Sequence, residues 1–369
     1  MFLKKLEIIF YNFIEQEYMS YKSFIRTHWK KLSLIGIIFF LFILITATIL
    51  SSYHQIMEAE KNVNSVKQTF TTIALWKGNS GEVAKSFCFD DENLYIAMGY
   101  DGLYIFDKTN LSNKSIELSN YIINEAENIK TVSNTLLFLA TGSRNNAGGI
   151  LICSIESSNI NVINSNLQEN LNATGLYILE KDKNSLEIYI SDEKKGFYSF
   201  NYEIGKNSLT AKPLKEQPSV FGIDIVSTRK YIFLADSSGN IHVFNSDGRK
   251  AGEIKNPLIM ANHLFLYKDI LFVADRMNGI IAYDVSSPEN SKFLYSYNAS
   301  GDSYDVFVQD EEVFVADGIS GILNLKLNGK SLSLQKRFAD GSVFTRVIYD
   351  KSKNLVYAAC NKDGIRILK

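Results

Sequence analysis

The chain has 369 residues, 46% of them hydrophobic and 21% charged, a balance that excludes wholesale disorder. Its 39 Lys and Arg stand against 40 Asp and Glu for a net charge of -1, so no global attraction draws it to nucleic acid phosphates. The length exceeds one ordinary core and falls short of three, unless a repeat spreads the core along the chain.

Residues 1–31 read as a cytoplasmic N-terminal segment. Phe2, Leu3, Leu6, Ile9, Phe10, Phe13 and Ile14 recur near a helical period, with Lys4, Lys5 and Glu7 between them. That is the pattern of an amphipathic helix on the inner leaflet, and a short tail without a partner fits the same residues. Residues 32–53 read as a transmembrane helix. GIIFFLFILITATIL, residues 36–50, carries no charge, and its neighbours extend the run to about twenty residues, enough to cross a bilayer. Lys4, Lys5, Lys22, Arg26, Lys30 and Lys31 precede the span, whereas Lys61 and Lys67 follow it beside Glu58 and Glu60. The positive-inside rule therefore sets the N-terminus in the cytoplasm and the remainder outside a cell inner membrane. The basic head and apolar run are longer than those of a signal peptide, which favours an uncleaved single-pass anchor. Residues 54–69 hold no Gly or Pro and suit a helical stalk.

Residues 70–369 repeat. ILFVADRMNGIIAYDVSSPEN from Ile270 and VFVADGISGILNL from Val313 are the most regular copies, with others at Leu94, Leu136, Leu186, Tyr231 and Leu355. Each is a short strand rich in aromatic and β-branched residues, a turn closed by one glycine, and a second short strand. The turn glycines are Gly102, Gly149, Gly196, Gly239, Gly279, Gly321 and Gly364, separated by 47, 47, 43, 40, 42 and 43 residues. That period is the length of a propeller blade. Between Gly279 and Gly321 there is room for IIAYDV, FLYSYN, YDVFVQ and EVFVAD, four strands to a blade. The fold class is thus all-β: a seven-bladed β-propeller of four-stranded blades behind a transmembrane helix, with negligible helix beyond residue 70. The last copy ends after its third strand, so TTIALWKG from Thr71 is expected to supply the fourth and close the ring. A β-sandwich or solenoid of the same hairpins is the alternative, disfavoured by seven near-equal periods.

The stretch Asp284 to Leu325, DVSSPENSKFLYSYNASGDSYDVFVQDEEVFVADGISGILNL, resembles the LVIVD-repeat propellers, in which a "VADG..GL.V.DVS.P" core recurs. The match is sharp in the copies at Ile270 and Val313 and weak at Leu136, Leu186 and Leu355; most copies lack the "DVS.P" tail, and Thr141, Met98 and Cys360 stand where the family has Asp. The resemblance implies a surface or periplasmic propeller and brings no catalytic residues.

Two sets of residues are candidates for a site. Asp192, Asp236, Asp275 and Asp317, with Asp101 nearby, fall on the loop face and would form a ring of carboxylates for a cation or a basic partner; as turn residues they would instead bond their own backbone. Lys85, Lys130, Asp224, Asn262, His263, Asp305 and Arg346 fall near the starts of the innermost strands and would approach the central channel, to read a polar ligand or to be filled with water. His28, His54, His242 and His263 show no metal-ligand spacing, and nothing points to a cofactor. Cys88, Cys153 and Cys360 read as core thiols, with a Cys88–Cys360 bridge as the alternative. The expected role is a non-enzymatic interaction scaffold in the cell envelope, bound to the bilayer through residues 32–53 and to an envelope or membrane protein through its loops; an enzyme or small-ligand sensor using the central funnel is the alternative.

Overall fold

The computed structural model describes residue 46 and residues 70–76, 83–130, 135–144, 147–156, 159–215, 219–254, 260–298, 301–329, 331–361 and 364–369. The chain divides into two units, Met1–Glu58 and Ala59–Lys369. Of the first, only Thr46 is described, and it is helical. The membrane span, the amphipathic segment and the stalk expected over residues 1–69 therefore lie outside the described residues. Among the described residues no helix is long and apolar enough to cross a membrane.

Unit two is a seven-bladed propeller. Seven four-stranded antiparallel sheets follow one another, six of them built from four consecutive strands. Their innermost strands are Ser86–Phe89, Ile122–Lys130, Ala173–Asp182, Gly222–Ser227, Ala261–Tyr267, Asp305–Gln309 and Phe344–Asp350. Each packs against the innermost strand of the next blade, and the seventh against the first, which closes the ring around a channel. Beyond the strands, the described residues include only two three-residue helical turns, Ile204–Lys206 and Pro288–Asn290.

The pattern of residues follows from the stacking. The second strand of a blade, such as Tyr231–Asp236 or Ile270–Asp275, is buried at every position but its first. Neighbouring blades cover both of its faces, so it reads as a continuous apolar run. Outermost strands such as Asn113–Glu117 mix exposed and half-buried positions. Seven apolar clusters result, one between each pair of adjacent blades, so the core is distributed around the ring.

Closure runs as the sequence led us to expect. Thr72–Trp76 is the outermost strand of blade seven, antiparallel to Gly364–Leu368, and Thr71 and Lys369 exchange two backbone hydrogen bonds of 3.0 Å. Trp76 packs edge-on against Phe106 at 5.0 Å and against Tyr104 at 5.7 Å, on the adjoining blade. Below it a buried ion pair joins the same two blades: Lys108 Nζ lies 3.0 Å from Asp350, both side chains 3% exposed. Lys108 Nζ also donates to the Asp90 carbonyl, and Tyr357 Oη donates to the Lys108 carbonyl at 2.9 Å. The three cysteines are buried and form no disulfide; Cys360 Sγ accepts from Arg366 Nη1 at 2.9 Å.

All seven turn glycines have positive φ, from 76° at Gly196 to 151° at Gly149. At Gly321, with φ 100°, an added Cβ would sit 1.9 Å from the Phe338 carbonyl oxygen of the outermost strand. The turn between second and third strands thus lies hard against the end of the fourth, and glycine is required by space as well as by φ.

Candidate functional site

The channel is organised by a repeated irregularity. The innermost strand shifts register in blades two, three, four, five and seven, in blade three once more near the far end of its strand, and in each of them just before Glu125, Gly175, Asp224, His263 and Arg346 respectively. An extra residue there re-aims the side chain that follows it. These residues pair with Ala140, Ser191, Ala235, Ala274 and Ala359, each the second-strand residue just before the hairpin turn. In blades one and six, Ser86 and Asp305 pair with the equivalent Ala97 and Ala316. The register therefore defines one belt of seven: Ser86, Glu125, Gly175, Asp224, His263, Asp305 and Arg346.

At Gly175 a Cβ would meet Asp224 Oδ1 at 2.6 Å, so the neighbouring blade's carboxylate occupies the space a side chain would need. Around the rest of the belt the charged groups meet. His263 Nδ1 is 2.9 Å from Asp305 Oδ1, and Nε2 is 3.8 Å from Asp224 Oδ2. Arg346 Nη2 is 3.0 Å from Glu125 Oε1, and Nη1 is 3.9 Å from Asp305 Oδ1. Most of these groups also stitch one blade to the next. Asp224 Oδ2 accepts the Leu264 N–H at 2.7 Å and Asp305 Oδ2 the Val347 N–H at 2.8 Å. Asn124 donates to the Ala173 carbonyl, Thr174 to that of Gly222, Asn262 to that of Tyr304, and Arg346 Nε to that of Lys85. Buried polar groups in this belt are thus largely committed to holding the ring.

Electrostatics follow from this crowding. Burial pushes Glu125 up from 4.5 to about 7, against the opposing pull of Arg346 and a hydrogen bond from Ser86. Burial alone would lower His263, but the Asp305 and Asp224 carboxylates outweigh it and raise the imidazole to about 9. Asp305 faces the same burial and is nevertheless held below its usual value by His263 and Arg346.

The folded values of Glu125 and His263 both lie above the unfolded ones. Glu125's contribution is fully present below about 4.5 and lost as pH rises through about 7; His263's is present below about 6.5 and lost through about 9. Glu125→Gln should remove the first loss, leaving the variant more stable than the parent at pH 8 by on the order of 3 kcal/mol and little changed near pH 4.5. Urea unfolding followed by near-ultraviolet circular dichroism across this range tests it; parallel profiles for parent and variant would refute the assignment.

Of the seven residues expected at the channel, the structure brings Asp224, His263, Asp305 and Arg346 into the belt, with Asn262 beside it. Lys85 stands exposed at the upper rim. Lys130 needs correction: it pairs with Thr135 at the opposite end of its strand from Glu125, and its side chain lies outside the described residues. Glu125, Ser86, Asn124 and Thr174 were not foreseen.

Of the two readings of the loop-face carboxylates, the structure shows turn-capping and not an open ring. Asp192, Asp236, Asp275 and Asp317 are buried and turned into their own hairpins. Asp192 accepts the N–H groups of Asn172, Lys194 and Lys195 at 2.8, 3.0 and 2.6 Å. Asp275 accepts those of Met260, Met277 and Asn278 at 2.9, 3.0 and 3.2 Å. Asp236 accepts from Ser238 and Asn240 and pairs with His242 Nε2 at 2.6 Å, and Ser303 Oγ donates to Asp317. Three of these carboxylates, Asp192, Asp275 and Asp317, fasten the loop between blades to the turn within a blade. Asp101 lies in the turn of blade one, half-buried. Among the described residues no group of three or more His, Cys, Asp or Glu side chains could hold a metal ion.

Beside exposed charged residues such as Lys85, Glu193, Lys194, Lys195 and Asp302, the loop face presents large apolar side chains. Tyr100, Phe221, Met260, Met277 and Ile319 all stand exposed there, Met277 at 67% and Tyr100 at 62%. Phe221 and Met260 come from the loops entering blades four and five; Tyr100, Met277 and Ile319 come from the turns of blades one, five and six.

No family model matches the chain, and no curated protein matches it. Among solved structures 1512 chains match, a breadth that leaves the fold unable to select an activity. The crystal structure of Chaetomium thermophilum Raptor is similar with a TM-score of 0.61 and 14% identity, over 82% of this chain; this chain spans 29% of that one. The computationally designed Ika8 protein is similar with a TM-score of 0.51 and 9% identity, over 80% of this chain and 98% of that one. At these identities the likeness is one of fold.

Proposed function

We propose that this chain is a single-pass, membrane-anchored propeller held outside the cytoplasm, where it serves as a non-enzymatic docking scaffold for another envelope or membrane protein. The observation that carries the reading is the loop face: large apolar side chains are exposed across blades four to six and on blade one, while the carboxylates beneath them are consumed in fixing the loops. Aromatic and methionine side chains on a rigid rim are the composition of interface centres, where charged residues are depleted. The anchor rests on the uncharged run at residues 36–50 and on the excess of Lys and Arg before it. The resemblance to LVIVD-repeat propellers agrees with the outer placement.

The test is photo-crosslinking in intact cells, with the photoreactive residue at Met277 or Phe221 and, as a control on an outermost strand, at Phe293. A discrete adduct from the first two positions and none from the third is expected, together with digestion of a C-terminal tag by protease added to spheroplasts. Identical adducts from all three positions, or a protected tag, would overturn the reading.

A further inference from the structure

Below the charged belt the channel changes character. A strand exposes alternate residues to one side, so the residues two positions beyond Gly175, Asp224, His263, Asp305 and Arg346 face the same space: Tyr177, Val226, Phe265, Phe307 and Ile348. Together with the six belt residues other than Gly175 they line a cavity of about 330 Å³, at the small end of ligand sites, which run from about 300 to 1,000 Å³. All but Val226 are only partly buried, and Phe265 and Phe307 meet edge to face at 5.3 Å. Each of these side chains also packs against an apolar cluster between blades, Val226 as a member of one, so the same residues that join the blades turn their remaining surface to the channel.

The end of this cavity is unbalanced in charge. Glu125, Asp224 and Asp305 supply three carboxylates; His263 and Arg346 supply two cations. Asp224 and Asp305 are each fixed by two backbone N–H groups, which leaves Glu125, held through Arg346 alone among the cations, as the carboxylate without a full counter-charge.

We infer that the lower channel is a binding site for a small organic monocation, an amine or quaternary ammonium with an apolar body, whose positive charge completes the belt while its body lies against Phe265, Phe307 and Tyr177. Aromatic faces attract such cations by their quadrupole as well as by apolar contact. A carboxylate ligand would meet the surplus of negative charge, and a neutral one would leave Glu125 uncompensated.

Occupancy is linked to protons through Glu125. The groups facing it are Ser86 from blade one, Asn124 beside it, Thr174, Asp224, His263, Asp305 and Arg346 from the later blades, with Lys85 and Glu193 at the upper rim. With Glu125 ionising near 7 and His263 staying charged to about 9, affinity for a permanently charged ligand rises by about tenfold between pH 6 and pH 8.

The inference is independent of the docking reading and is tested without any partner. Phenyltrimethylammonium, whose own charge does not titrate, is added to the full-length chain in lipid nanodiscs and binding is read by calorimetry, with tert-butylbenzene and benzoate as neutral and anionic comparators. The expected result is saturable binding of the cation alone, tighter at pH 8 than at pH 6. Glu125→Gln is expected to abolish the pH dependence, and Phe307→Leu, which keeps an apolar wall without the aromatic face, to weaken binding about tenfold. No binding by the cation, equal or tighter binding by either comparator, or an unchanged pH dependence in Glu125→Gln overturns the inference.

Discussion

Replacing Lys108 with Met is expected to destabilise the propeller by about 3–5 kcal/mol, the cost of leaving a buried carboxylate without its partner. Asp350 keeps two hydrogen bonds from Ser352, at 2.9 and 2.6 Å, but its other oxygen faces Lys108 in a site where each side chain is 3% exposed. The lysine also lies 4.6 Å from the centre of the Phe89 ring and donates to the Asp90 carbonyl, so its loss strips one contact across the joint between blades one and seven and two within blade one. Adding Asp350→Asn should recover much of the stability, because the isolated charge rather than the missing attraction dominates the cost. Trp76 packs beside this joint, and denaturant unfolding followed by its fluorescence reads the effect directly. A single variant within about 0.5 kcal/mol of the parent, or a double variant no better than the single, would contradict this account.

Gly321→Ala is the second large effect. The left-handed φ alone costs an L-residue about 1–2 kcal/mol, and a Cβ 1.9 Å from the Phe338 carbonyl oxygen forces backbone to move, adding about 1–3 kcal/mol of overpacking. The expected loss is therefore about 2–5 kcal/mol. Gly205→Ala is the control, since nothing lies within 4 Å of its added methyl group; it should fall within about 0.5 kcal/mol of the parent. Comparable losses at both positions would mean that the crowding at the blade turn is not what fixes glycine there.

The same glycines explain why so much of the fold was legible in the sequence. A residue demanded by both φ and space recurs once per blade, and the apolar runs before it mark strands buried on both faces. The closing strand was legible for a related reason, because a blade of three strands has an unpaired edge. Charged positions were harder to place. A count from the turn glycine locates His263 and Asp305, whose blades are built from strands of five to seven residues, apart from the eight-residue outermost strand of blade six. Blade two is made of strands of 9 to 11 residues, so Glu125 lies farther before its turn glycine than His263 and Asp305 lie before theirs, and a short count stops near Lys130 at the far end of the strand. The hairpin carboxylates posed another difficulty. An Asp at a turn reads alike whether it faces solvent or its own backbone, and only the observed N–H groups around Asp192 and Asp275 distinguish the two.

Closure by Thr72–Trp76 has a consequence for the order of events in folding. Thr71 and Lys369, which bond across the seam, are 298 residues apart in the chain, so six blades can form from nearby segments while the seventh waits for a partner held from the very start of the domain. Contacts of such separation form late, because chain entropy opposes them until the intervening structure is in place. During synthesis the strand at Thr72–Trp76 emerges first and remains an unpaired edge longest, with Ala74 and Trp76, which pack into the joint between blades seven and one in the closed ring, uncovered. A helper that masks this one strand would protect the whole ring, and its release would coincide with the arrival of Gly364–Leu368.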